Sequence, residues 1–216
     1  ETDDVGGGLY ARDGSSPSFS SCIFFDNTAE FGGGCYLKSL STPVMENVSF
    51  IQNNANNSGG AIGLKDDANI EGFNLAITNN IAEGLGGGLY INNADPVLSF
   101  ALIADNVASS GAGIYIRNSS EIDLTNVTLA NNNAGLYGGG IYMRDNSMVN
   151  LLNSIVWNNE SSQIYFRTEG AEVELNVSFS LIENNQNGIE DNNNGEINWL
   201  EGNLDSEPYF CASSAG

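Results

Sequence analysis

The chain has 216 residues with 27 acidic and 6 basic side chains, so its net charge at pH 7 is −21, and it contains no histidine. That charge repels phosphate and excludes a nucleic-acid partner, and the missing histidine excludes His-based triads, His general bases and His-ligated zinc. Hydrophobic residues make up 41%, too many for a disordered acidic tail, and no apolar run approaches the roughly 18 residues of a membrane span.

The sequence opens on Glu1 with neither an initiator Met nor a signal-peptide pattern, and reads as a piece of something longer or a processed form. From Gly6 onward a glycine-rich unit recurs: Gly6-Gly7-Gly8-Leu9-Tyr10, Gly32-Gly33-Gly34-Cys35-Tyr36 and Gly59-Gly60-Ala61-Ile62-Gly63. It continues as Gly86-Gly87-Gly88-Leu89-Tyr90, Gly111-Ala112-Gly113-Ile114-Tyr115 and Gly138-Gly139-Gly140-Ile141-Tyr142. Two degenerate copies close the series, Gln163-Ile164-Tyr165 and Gly188-Ile189-Glu190. A second column keeps step with it: Asn27, Asn54, Asn80, Asn106, Asn132, Asn159 and Asn185, spaced 26 or 27 residues apart. Three positions before each lies an apolar residue: Phe24, Ile51, Ile77, Ile103, Leu129, Val156 and Ile182.

Two registers locked over this length define a solenoid with a period of 25–27 residues. Within each unit the apolar residues alternate, as in Leu89-Tyr90-Ile91-Asn92, instead of recurring every 3.6 residues, so the units are built of strands. Three short β-runs per unit, punctuated by the 26 Gly and the many Asn, describe a coil of a parallel β-helix. The expected fold is all-β, a single-domain right-handed parallel β-helix of about eight coils. Residues 1–194 form the coils, and residues 195–216 form a last coil or C-terminal cap. Coils would stack at about 4.8 Å, placing the asparagines above one another as a structural ladder.

The Gly-Gly-Ala-Ile unit and the Phe-x-x-Asn unit (Phe24…Asn27, Phe50…Asn53) resemble the polymorphic outer-membrane protein repeats, within the wider pectin-lyase-like β-helix group. The closing stretch, Gly202 to Phe210, is similar to the segment that ends many secreted bacterial β-helices. The resemblance implies a secreted or cell-surface protein, adhesin-like and often without catalysis, and names no ligand.

One column carries the functional expectation. In the strand after the glycines the inward side chains run from Leu9/Ala11 to Ile164/Phe166. The outward ones are Tyr10, Tyr36, Gly63, Tyr90, Tyr115, Tyr142 and Tyr165, then Arg12, Lys38, Lys65, Asn92, Arg117, Arg144 and Arg167. Those cations are all 6 basic residues of the chain. One reading is a linear binding face, with tyrosines stacking on sugar rings and cations holding the acid groups of a polysaccharide or cell-surface ligand. The other is sheet-face pairing, in which tyrosines and cations stack on one another and on acids such as Asp13, Asp66 and Asp145. Both can hold together.

Catalysis is the weaker expectation. A polysaccharide lyase or hydrolase needs clustered carboxylates, yet Asp3-Asp4, Asp66-Asp67 and Glu190-Asp191 do not recur at one register on adjacent coils. No catalytic residue, metal ligand or cofactor is assigned, beyond weak calcium at acidic turns, because the Gly-Gly-x-Gly-x-Asp calcium spacing is absent. Cys22 and Cys35 are expected to point inward on the first coils, as buried thiols or as a disulfide, and Cys211 lies beyond the last coil. The column Ile23, Phe50, Ala76, Leu102, Thr128, Ile155 and Leu181 is also mostly apolar, so either the strand bends there or an apolar stripe faces outward. An N-terminal coil without a cap would leave unpaired backbone edges and invite end-to-end association.

Overall fold

The computed structural model describes residues 4–210. The chain winds as a parallel β-solenoid whose strands fall into four sheets of eight, eight, seven and five strands. One coil shows the plan: Ile62–Lys65 lies in the first sheet, Glu71–Phe73 in the second, Ala76–Thr78 in the third and Ile81–Ala82 in the fourth. Each strand pairs in parallel with its counterparts one coil before and after, as in Ile62↔Leu89 and Ile77↔Ile103. The sequence reading had three runs per coil. The fourth is short or largely polar, as in Asn54–Ser58, and buries little more than one alanine per coil, Ala29, Ala55, Ala82, Ala108 and Ala134.

Strand alternation places one row of each sheet inside. Leu37, Leu64, Ile91, Ile116, Met143 and Phe166 stack as one fully buried column on the first sheet, joined by Phe50, Ile77, Ile103, Leu129 and Val156 from the third. Each such side chain contributes about 1.5–3 kcal/mol by leaving water. In the column beginning at Ile23, that residue and Leu102 are exposed, Ile23 to 68%, and Ala76, Thr128 and Ile155 are half-buried, whereas Leu181 at its end is buried. Phe50 does not belong to it. In the second coil Phe24 pairs with Phe50 and Phe25 with Ile51, so Phe50 is the inward residue, one place earlier than the sequence register had it.

The same one-residue shift moves the asparagine ladder. Its members are Asn27, Asn53, Asn80, Asn106, Asn132 and Asn159, each side-chain amide donating to the next Oδ1 at 2.9–3.0 Å. Asn53 replaces Asn54 because the residue before each ladder position turns through positive φ, and in this coil that residue is Gln52 at 56°. Asn185 is not a rung either, for it begins the short 3₁₀ turn Asn185–Gly188. Gln163 ends the ladder instead, accepting from Asn159 at 2.8 Å and donating to Glu183 Oε2 at 2.6 Å. Gln163 lies only four residues beyond Asn159, so no period of 26 points to it.

Cys35 is fully buried and Cys22 partly so; both are free thiols, and burial pushes the Cys35 thiol well above the ordinary range. Cys211 lies outside the described residues. The chain from residue 195 adds the last strand of the second sheet, Gly195–Trp199, and Leu204 bridges back to Leu181.

Candidate functional site

The outward column of the first sheet is in register as expected: Tyr10↔Tyr36↔Gly63↔Tyr90↔Tyr115↔Tyr142↔Tyr165↔Glu190. Its exposure is not what strand alternation implies. Tyr10 is 41% exposed, whereas Tyr36, Tyr90, Tyr115, Tyr142 and Tyr165 are buried, Tyr115 to 2%. The rings lie along the sheet and cover one another. Tyr115 and Tyr142 stack with centroids 4.7 Å apart and planes 7° from parallel, and Tyr90 and Tyr165 extend the stack at 5.8 and 5.2 Å. The neighbouring fourth-sheet edge adds Leu85 and Tyr137, whose ring sits 4.7 Å from that of Tyr165. Burial raises the phenol of Tyr90, and burial with repulsion from Tyr115 pushes Tyr142 up to about 12. Tyr165 is raised by burial and by Tyr137 and Glu190.

The cations beside this stack reach back along it. Arg144 Nη1 donates to the Tyr115 hydroxyl at 3.5 Å while its Nε holds Asp145 at 2.6 Å. Arg117 bears on the Tyr90 hydroxyl in the same way, one coil earlier. Arg167 approaches Asp145 at 3.7 Å. Asn92 donates to the Tyr90 hydroxyl at 3.3 Å and accepts from Asn118 at 2.7 Å. From Tyr90 to Arg167 the column is therefore a seam between coils.

Its N-terminal part is more open. Arg12 sits 5.9 Å from the Tyr10 ring centroid and 3.2 Å from Asp13, on the surface. Lys38 and Lys65 face each other across adjacent strands. Lys38 has Asp66 at 3.6 Å, and among the described residues Lys65 is in no ion pair. The tyrosine column skips the coil between them, where Gly63 stands and the Tyr36 ring leans across it: a Cβ there would lie 2.6 Å from Tyr36 Cδ2. A cleft of about 510 Å³ lies beside Lys38 and Lys65, with Tyr10, Glu30 and Asn92 also in its lining.

A second polar array escaped the sequence reading. On the outer face of the second sheet Asn150, Asn176 and Asn198 donate in turn to Asp123, Asn150 and Asn176 at 2.7–2.8 Å, with Glu121 and Glu174 accepting alongside. The spacing of Asp123, Asn150, Asn176 and Asn198 carried the signal, hidden among so many asparagines. Among the described residues no group of three or more Cys, Asp or Glu side chains is placed to hold a metal ion, and no helix is long and apolar enough to cross a membrane.

The family model of the right-handed β-helix region matches residues 60–206, and the parallel solenoid agrees with it. The chain belongs to the right-handed β-helix family. No curated protein and no solved structure matched it in the comparisons made.

Proposed function

We propose that the chain is a non-catalytic rod, a secreted or cell-surface β-helix module that acts as a scaffold and touches polysaccharide at the open end of its tyrosine and cation column. The observation that supports this reading is where the polar side chains spend their hydrogen bonds. Asparagines inside, amides and carboxylates on the second sheet, and tyrosines and arginines on the first all bond from coil to coil. Groups tied up this way stiffen a rod. A solenoid of this kind presents one chemistry repeatedly along its length, which suits an extended polymer better than a small molecule.

The test is retention of the purified chain on neutral and acidic polysaccharides at two salt concentrations, beside an Arg117→Glu/Arg144→Glu variant. Salt-sensitive retention on an acidic polymer is expected, because exposed charge pairs weaken as the Debye length shrinks. The variant is expected to melt earlier, since it removes the Arg144–Asp145 ion pair and sets a new carboxylate beside Asp145. A variant that melts normally but loses retention would make the whole column a ligand face. Silence across the panel would reduce the function to scaffolding.

A further inference from the structure

Lys38 and Lys65 are register neighbours on parallel strands, and like charges placed directly opposite destabilise a sheet. Among the described residues Asp66 answers Lys38 alone, so the pair keeps an unanswered positive charge there, on a chain that is otherwise strongly acidic. That charge faces a cleft of about 510 Å³, which is of ligand size. Its lining has three chemistries. Lys38 and Lys65 supply ammonium groups; Tyr10, 41% exposed, supplies a ring surface; Glu30 and Asn92 supply polar groups suited to hydroxyls.

We propose that this cleft takes one sugar unit bearing a single carboxylate or sulfate, its acid group on Lys38 and Lys65 and its C–H face against the Tyr10 ring. The inference rests on the polysaccharide contact put forward above and narrows it to one place and one unit. A polyanion laid along the column would meet Arg144 and Arg167 already paired with Asp145. It would also meet the field of a chain with net charge −21, and Glu30 in the cleft itself opposes a second negative charge.

The experiment titrates the chain with glucuronic acid, glucose 6-sulfate and neutral glucose by ligand-observed NMR, with hyaluronan as the polymer arm, against a Lys38→Gln/Lys65→Gln variant. Both acids are expected to bind and glucose not to. The variant is expected to lose at least about tenfold in affinity, the scale of one lost charge-assisted hydrogen bond, with a melting temperature no lower than that of the wild type, because the repulsion between the two lysines is gone. Binding of the single sugars but not of hyaluronan would mean that the cleft takes a free unit; binding of both, a unit within a chain. Glucose binding as well as the acids, acid binding unaltered in the variant, or no binding of any acid sugar would each overturn the proposal. Hyaluronan retention that survives in the variant would leave polysaccharide contact standing and remove this cleft as its place. Loss of every form of retention in the wild type would remove both.

Discussion

Asn80 shows what a single rung of the buried ladder does. Its side chain accepts from the backbone N–H and the amide of Asn53, and donates to the Phe50 carbonyl and to Asn106 Oδ1. All four bonds are out of water, so removing the side chain strands donors and acceptors on both adjacent coils. Leaving a buried polar group unpaired costs about 1–3 kcal/mol, and Asn80→Ala orphans more than one. A loss of about 3 kcal/mol or more is expected, read as a lower midpoint in denaturant unfolding. A change below about 1 kcal/mol would mean that water replaces the rung. The same ladder shows how a residue-level reading goes astray. The Asn53-Asn54 doublet fits the spacing either way, and only the positive φ of Gln52 decides between them. A ladder through Asn54 would turn Phe50 from the core to the surface, because a slip of one place in a strand reverses the facing of every side chain.

At the scale of strands and corners, the repeat itself was plain in the sequence because every coil must meet identical packing constraints. Gly60 is one of them. A Cβ there would lie 2.3 Å from the Gly87 carbonyl and 2.5 Å from that of Ile81, both backbone atoms of stacked coils that cannot step aside. Gly60→Ala should therefore cost at least about 3 kcal/mol. Gly135 meets only the Ala108 carbonyl at 4.0 Å, and Gly135→Ala should be neutral or stabilising by up to about 1 kcal/mol. Thermal unfolding of the two variants, side by side, checks this; equal melting temperatures would refute close coil contact at the glycine corner. Two features of the candidate site were not legible in the residues. Alternation reports which side of a strand a tyrosine occupies, yet not that Leu85, Tyr137 and the next tyrosine cover it. The fourth sheet stayed hidden for a related reason, since strands such as Asn54–Ser58 are held by their neighbours and not by an apolar pattern.

Over the whole molecule, the claim that matters most is that the tyrosine column from Tyr90 to Tyr165 is a seam within the rod. Such a seam makes stability depend on pH in one direction. The phenols of Tyr90, Tyr142 and Tyr165 are raised in the folded chain, so between the ordinary phenol value of 10.0 and the Tyr142 value of about 12 the unfolded chain gives up protons that the folded one keeps. Stability is thus undiminished by these groups below about pH 10 and falls as pH climbs toward about 12. The most direct measurement is a spectrophotometric titration of tyrosine ionisation, with the β-sheet circular dichroism followed in the same samples. At a pH near 11 where the sheet signal is intact, a fraction of the eight tyrosines should remain un-ionised and titrate only as the fold is lost. All eight ionising together at the ordinary phenol value, with the sheet signal unchanged, would mean an open tyrosine face and would contradict the seam.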